Sequence, residues 1–356
     1  MKFADNHFLK DAINDIIRTN QINTWTADIL AEACNYTDFF KINKINQFLR
    51  EGHSVQDTMI DTFYDEFNLD RDDEETNDIF NEFAKARIKC LDPKEYRDNE
   101  YAKAIKATGK FNGYSLRMID YEPYQTFPYD EINVTDDYKE YSNIGFFKEK
   151  FAYLALCQGN NVWMSLNPNE IETMKPFIDK AKGEVLVLGL GMGYVPFMMM
   201  NKPEVKHITI VEKDINIITL FKALILPHFV RKDKITIIKD DAISYFAKQK
   251  KYDYIFADLW HDPEDGLDLF IKLKNINRNI DCWLETSLIA LLRRCMITLI
   301  EESLDGLDEK NYKKARNTTD KVINNFYQRT KNLVINNEEQ LHKLLSDESL
   351  IDLIIE

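Results

Sequence analysis

Apolar residues near the N-terminus recur at helical spacing. Leu9, Ile13, Ile16 and Ile17 share one face, and Trp25, Ile29, Leu30 and Ala33 repeat the period. The pattern predicts a helical region over 1–108, with the acidic run 65–78 as a loop and a helix start. From about residue 110 aromatic and β-branched residues alternate with polar ones. Segments 147–156 and 162–166, joined by the turn residues 158–161, predict a β-hairpin. Asn167-Pro168-Asn169 stops the second strand. A helix follows to about residue 182, with Glu170 and Glu172 in its first turn, where the helix dipole favours acids.

From Gly183 the period changes again. Short continuous apolar runs at 185–188, 208–211, 235–238 and 254–257 are what strands buried on both faces require, and helical stretches separate them. This alternation predicts a parallel sheet with helices on both faces. A fifth strand is expected at 282–284. Beyond it the chain reads as helical, over 286–303, 309–333 and 338–355, and no closing antiparallel hairpin is visible.

The chemistry concentrates at the ends of these strands. The first runs into Gly189-Leu190-Gly191-Met192-Gly193 and then a helix. Glycine allows a sharp turn and close approach of a ligand to the backbone. The second strand ends in Glu212, placed to accept both hydroxyl protons of a ribose. The third is followed by Asp240-Asp241-Ala242, where a carboxylate can accept a bond from an adenine amino group. The fourth ends in Asp258. Open α/β sheets bind ligands at these carboxyl ends. A dinucleotide site favours G-x-G-x-x-G, but Tyr194 stands where its last glycine belongs, so a nucleoside fits better than NAD.

This arrangement resembles the first motif of class I S-adenosylmethionine-dependent methyltransferases, over about 176–290. The resemblance implies an α/β fold with a Rossmann-like methyltransferase sheet, a helical N-terminal region, a small β segment and a helical C-terminal extension. The expected domains are 1–108, 109–175, 176–305 and 306–356. It implies an enzyme that binds S-adenosylmethionine as cofactor through Gly189, Gly191, Gly193, Glu212, Asp240, Asp241 and Asp258, and transfers a methyl group to a small-molecule acceptor. Asp258 is the first candidate for a base and Asp262 the second, although both residue types also serve as strand-end and turn caps.

A closer likeness is to the spermidine synthase family. Residues 156–166 ahead of Asn169-Glu170 look like its N-terminal hairpin, and Asp258-Leu-Trp-His-Asp262-Pro263 resembles its D-x-x-D-P loop stretched by one residue. That family carries G-G-G-D-G, whose acid binds a substrate amine; here Met192 takes that place, and a thioether cannot pair with an ammonium as a carboxylate does. Aminopropyl transfer is therefore the alternative, and a non-enzymatic nucleoside-binding module is another.

Composition narrows the partners. A net charge of −14 disfavours nucleic acid. The one dense basic stretch, 310–316, sits among acids and reads as a solvated helix face. No apolar run approaches the roughly 20 residues that span a bilayer, and the acid-containing N-terminus is not a signal peptide, so a cytoplasmic protein is expected. The five cysteines lack C-x-x-C spacing, which argues against disulfides or zinc. The loop group His261, Asp262, Glu264 and Asp265 is read as solvated, with no metal. The apolar helix 286–303 serves either as core or as the face of a homodimer.

Overall fold

The computed structural model describes residues 1–35, 39–82, 88–248, 251–305 and 315–355 of a mixed α/β chain. The basic stretch at 310–316 lies mostly outside the described residues. Two compact units are formed, one by Trp25–Asn133 with Tyr141–Asp258, the other by Met1–Thr24, Val134–Glu140 and Leu259–Glu356.

The first unit holds two sheets that matter here. Strands β1 (Gly109–Phe111), β2 (Tyr114–Tyr121), β3 (Phe151–Gln158) and β4 (Asn161–Ser165) pair antiparallel in the order β4-β3-β2-β1. The hairpin expected from the turn residues is β3–β4, with Gly159 left-handed in its turn. A bulge between Val162 and Met164 shifts the register of β4. Strands β5 (Gly183–Leu188), β6 (Val205–Glu212), β7 (Ile235–Lys239) and β8 (Tyr254–Ala257) run parallel in the order β7-β6-β5-β8. Val185, Leu186, Val187 and Leu188 are almost wholly excluded from water. Their burial contributes roughly 1.5–3 kcal/mol each. Chain order proceeds from β5 outward through β6 and β7, then returns to the other side of β5 for β8. A crevice therefore opens at the carboxyl ends of β5 and β8, where such reversals place ligands.

Helices α1 (Pro168–Lys180), α2 (Tyr194–Met200), α3 (Ile215–Leu220) and α4 (Ala242–Phe246) connect or precede these strands. A π-helical turn, Phe221–Ile225, continues α3. The buried Lys234 donates to the carbonyls of Met200, Lys202 and Val205 at 3.0, 3.2 and 2.7 Å. It closes the orphan end of α2 against the start of β6, and its charge is compensated by backbone dipoles rather than an acid. A separate core under the helices Ile42–Arg50 and Val55–Glu66 is built on Phe40, Phe63 and Phe80.

The second unit is mainly helical. It contains α5 (Pro263–Ile276), α6 (Glu285–Leu304), α7 (Thr318–Thr330), α8 (Glu338–Leu344) and α9 (Asp347–Ile354). The single helix expected over 338–355 is two, because Ser346 turns its side chain onto the Ser349 N–H and starts a new helix. Two short strands escaped the periodicity: Lys2–Phe3 and Val334–Ile335 pair in parallel. No helix among the described residues is long and apolar enough to cross a membrane.

Candidate active site

The glycine turn sits at the carboxyl end of β5. Gly193 closes it by donating to the Leu190 carbonyl at 2.8 Å. Gly191 and Gly193 both have positive φ, +50° and +75°. A Cβ on Gly191 would stand 2.1 Å from the Met164 sulfur, and one on Gly193 would stand 2.3 Å from the Phe221 ring. Conformation favours glycine at both positions, and at Gly193 the buried Phe221 ring of the π-helical turn also leaves no room for a Cβ, whereas Gly191 faces only the flexible end of Met164. Tyr101, fully buried, donates its hydroxyl to the Met192 carbonyl and packs edge-on against Tyr194 and Phe197. Asn99 donates to the Tyr194 hydroxyl at 3.2 Å.

The strand-end acids have distinct tasks. Glu212 accepts from the Leu190 N–H at 3.2 Å and from the Asp214 N–H at 2.7 Å, so it is anchored against the glycine turn. Asp214 in turn accepts from the Tyr114 hydroxyl at 2.7 Å. Asp240 accepts from the Asp241 N–H at 2.8 Å. Asp241 is exposed and caps α4 through the Ser244 N–H at 2.8 Å; that bond, above all, holds its carboxyl below the usual range.

Asp258 follows β8, and its N–H extends the parallel ladder to the Leu188 carbonyl at 2.9 Å. This bond sets it beside the glycine turn. A small cleft, with about 20 Å³ of cavity volume, is lined there by Gly189, Gly193, Met192, Tyr194, Asp258 and, from α1, Glu170; Met164 and Met174 complete its apolar wall. Among the predicted residues, Gly189, Gly193 and Asp258 meet in this cleft, whereas Gly191, Glu212, Asp240 and Asp241 lie outside its lining.

Both carboxyl groups are half-buried and closely surrounded by protein. Burial pushes Asp258 up to about 7, with the charge of Glu212 adding to it. Burial likewise pushes Glu170 up to about 8, helped by the charge of Asp258 and opposed by the Ser165 N–H. Desolvation disfavours each anion, and two anions in one cleft disfavour each other. They titrate as a pair.

Asp262 stands elsewhere in function: it caps α5, accepting from the Asp265 N–H at 2.8 Å while Asp265 returns the bond in a capping box. His261 bonds Asp265 at 3.0 Å. Trp260 is buried, donates to the Trp283 carbonyl at 3.2 Å and packs on Gly266, so it is a core residue of its own unit. Glu170 was not among the sequence candidates; its only local signal was its place in the first turn of α1.

Residues 169–281 match the spermine/spermidine synthase domain. Among solved structures the chain is similar to spermidine synthase from Thermotoga maritima, with 14% identity over 40% of this chain and 55% of that one and a TM-score of 0.29. It is also similar to precorrin-8w decarboxylase from Methanobacterium thermoautotrophicum, with 15% identity over 38% of this chain and 69% of that one and a TM-score of 0.25. The chain spans about half the length of the spermidine synthase, and likenesses this distant carry no weight. No curated protein matches the chain. The domain match overturns the expectation of a methyltransferase using S-adenosylmethionine as methyl-donating cofactor. It favours the aminopropyl alternative over methyl transfer. The expectation has a physical source: a glycine turn and a strand-end acid are features expected to address an adenosine, and the adenosine half is common to both donors. The donors differ in the tail.

Proposed function

We propose that the chain is an aminopropyltransferase of the polyamine-synthase kind, built on a Rossmann-like fold, taking decarboxylated S-adenosylmethionine and a small amine. One observation carries this reading. The cleft at the glycine turn presents two carboxylates, Glu170 and Asp258, and its described lining contains no Lys, Arg or His. Such a cleft attracts a cationic tail and opposes a carboxylate. S-adenosylmethionine carries an extra carboxylate; set about 5 Å from one of these acids in its ionised form, at an effective dielectric of about 20, it costs roughly 3 kcal/mol. That corresponds to about a hundredfold in affinity.

In this reading the glycine turn and Glu212 hold the adenosine, with Asp240 or Asp241 at the adenine. Asp258 is the base. The acceptor nitrogen forms a C–N bond to the propyl carbon beside the sulfonium as the C–S bond breaks. The electron pair of that bond returns to sulfur, leaving the neutral thioether nucleoside, and the proton shed by the nitrogen passes to Asp258. A group that titrates near neutrality suits that transfer. The test is incubation with decarboxylated S-adenosylmethionine and a series of primary diamines, followed by mass spectrometry. Methylthioadenosine and an aminopropylated amine are expected in equal amounts. Absence of both across the series sinks the proposal.

A further inference from the structure

We infer that Glu170 binds the primary ammonium of the aminopropyl donor and so selects the decarboxylated donor over its parent. This rests on the aminopropyl reading above. Glu170 is the third residue of α1, after Pro168 and Asn169, and Asn167 caps the helix by accepting its N–H at 2.9 Å. An acid at this position ordinarily folds back onto the N-cap backbone, as Asp265 does at the start of α5. Glu170 reaches past the N-cap to the Ser165 N–H and lines the cleft with Asp258. Among the described residues no cation pairs with it, and the Ser165 N–H is its one hydrogen-bonding neighbour. A carboxylate half-buried among the thioethers of Met164, Met174 and Met192 is costly unless something cationic joins it.

The donor supplies that charge. It bears two positive centres, the sulfonium and the ammonium three carbons away, facing two carboxylates. The propyl chain between them is apolar and suits the methionine wall. Asp258, fixed to the sheet edge through Leu188, is left free to take the proton of the acceptor, while Glu170 anchors the end of the chain that does not react. Met192, buried in the same wall, presents no charge to compete.

The experiment measures affinities by calorimetry for decarboxylated S-adenosylmethionine and for methylthioadenosine, which lacks both positive centres. Wild type, Glu170→Gln and Glu170→Asp are compared, with KM and kcat for each. Glu170→Gln is expected to weaken the donor about 30-fold, in the range for losing a hydrogen bond to a charged group. Methylthioadenosine affinity stays within about twofold, which also shows that the variant is folded. Glu170→Asp recovers most of the donor affinity, and the loss in Glu170→Gln falls mainly on KM. Equal weakening of both ligands, or an unchanged donor affinity in Glu170→Gln, overturns the inference while leaving the aminopropyl reading intact. If wild type binds neither ligand, the reading itself falls and takes the inference with it.

Discussion

Replacing Asp258 by asparagine removes a charge from a place where the fold resists charge, so the variant should be more stable than wild type at alkaline pH. Unfolded, the Asp258 carboxyl titrates near 3.8; folded, it is pushed up to about 7. Between those values the folded chain holds a proton that the unfolded chain has lost, so stability falls as pH rises through this window. The contribution is complete below about pH 4 and gone above about pH 7. At 1.36 kcal/mol per pH unit the full shift corresponds to roughly 4 kcal/mol. Partial access to water and the shared titration with Glu170 reduce this, and about 1–3 kcal/mol is the expected span. The assay is urea denaturation of both proteins from pH 5 to pH 8.5. The wild-type minus Asp258→Asn difference cancels the titrating groups that do not interact with Asp258 and leaves the Asp258–Glu170 pair. That difference should move toward the variant by about 1–3 kcal/mol as pH rises, while aminopropyl transfer by the variant disappears. Parallel profiles with a constant offset refute the reasoning, because they mean that Asp258 is charged at the same pH folded and unfolded.

Gly193→Ala forces a Cβ into the Phe221 ring and a side chain into the left-handed region; a loss of about 2–4 kcal/mol in urea denaturation is expected, and wild-type stability would show that the turn rearranges freely. Lys234→Met strips three backbone carbonyls of their shared donor, and thermal unfolding should register a loss on the order of 3 kcal/mol; an unchanged midpoint would mean that water replaces the ammonium without cost.

The part of the site that is legible in sequence is the part made by single strands. Asp258, which follows a strand, declares itself by following an apolar run, and the glycine turn does so by its spacing; Glu212 carries the same signal but lies outside the cleft lining. The methionine wall and Glu170 do not, because their roles arise from how β4 and α1 pack against β5. In sequence Glu170 is an ordinary first-turn acid and Met164 an ordinary strand residue. Ser346 shows the same limit in the fold: an apolar period runs through 338–355, but one hydroxyl capping a neighbouring N–H divides it. The expectation of methyl transfer fails for a related reason. Met192 replaces the expected acid in the local motif, whereas the second carboxylate of the cleft comes from a segment that precedes the motif.

The bulge in β4 makes the wall of the cleft adjustable independently of the sheet that carries it. Because the extra residue is absorbed between Val162 and Met164, the hairpin keeps its pairing with β3 on both sides while one side chain is re-aimed at the glycine turn. Exchanging Met164 for a smaller or a polar residue would then alter the length and polarity of tail that the cleft admits, with little disturbance of strand pairing. A lineage, or an engineer, thus has a dial for what the cleft admits that is mechanically uncoupled from strand pairing.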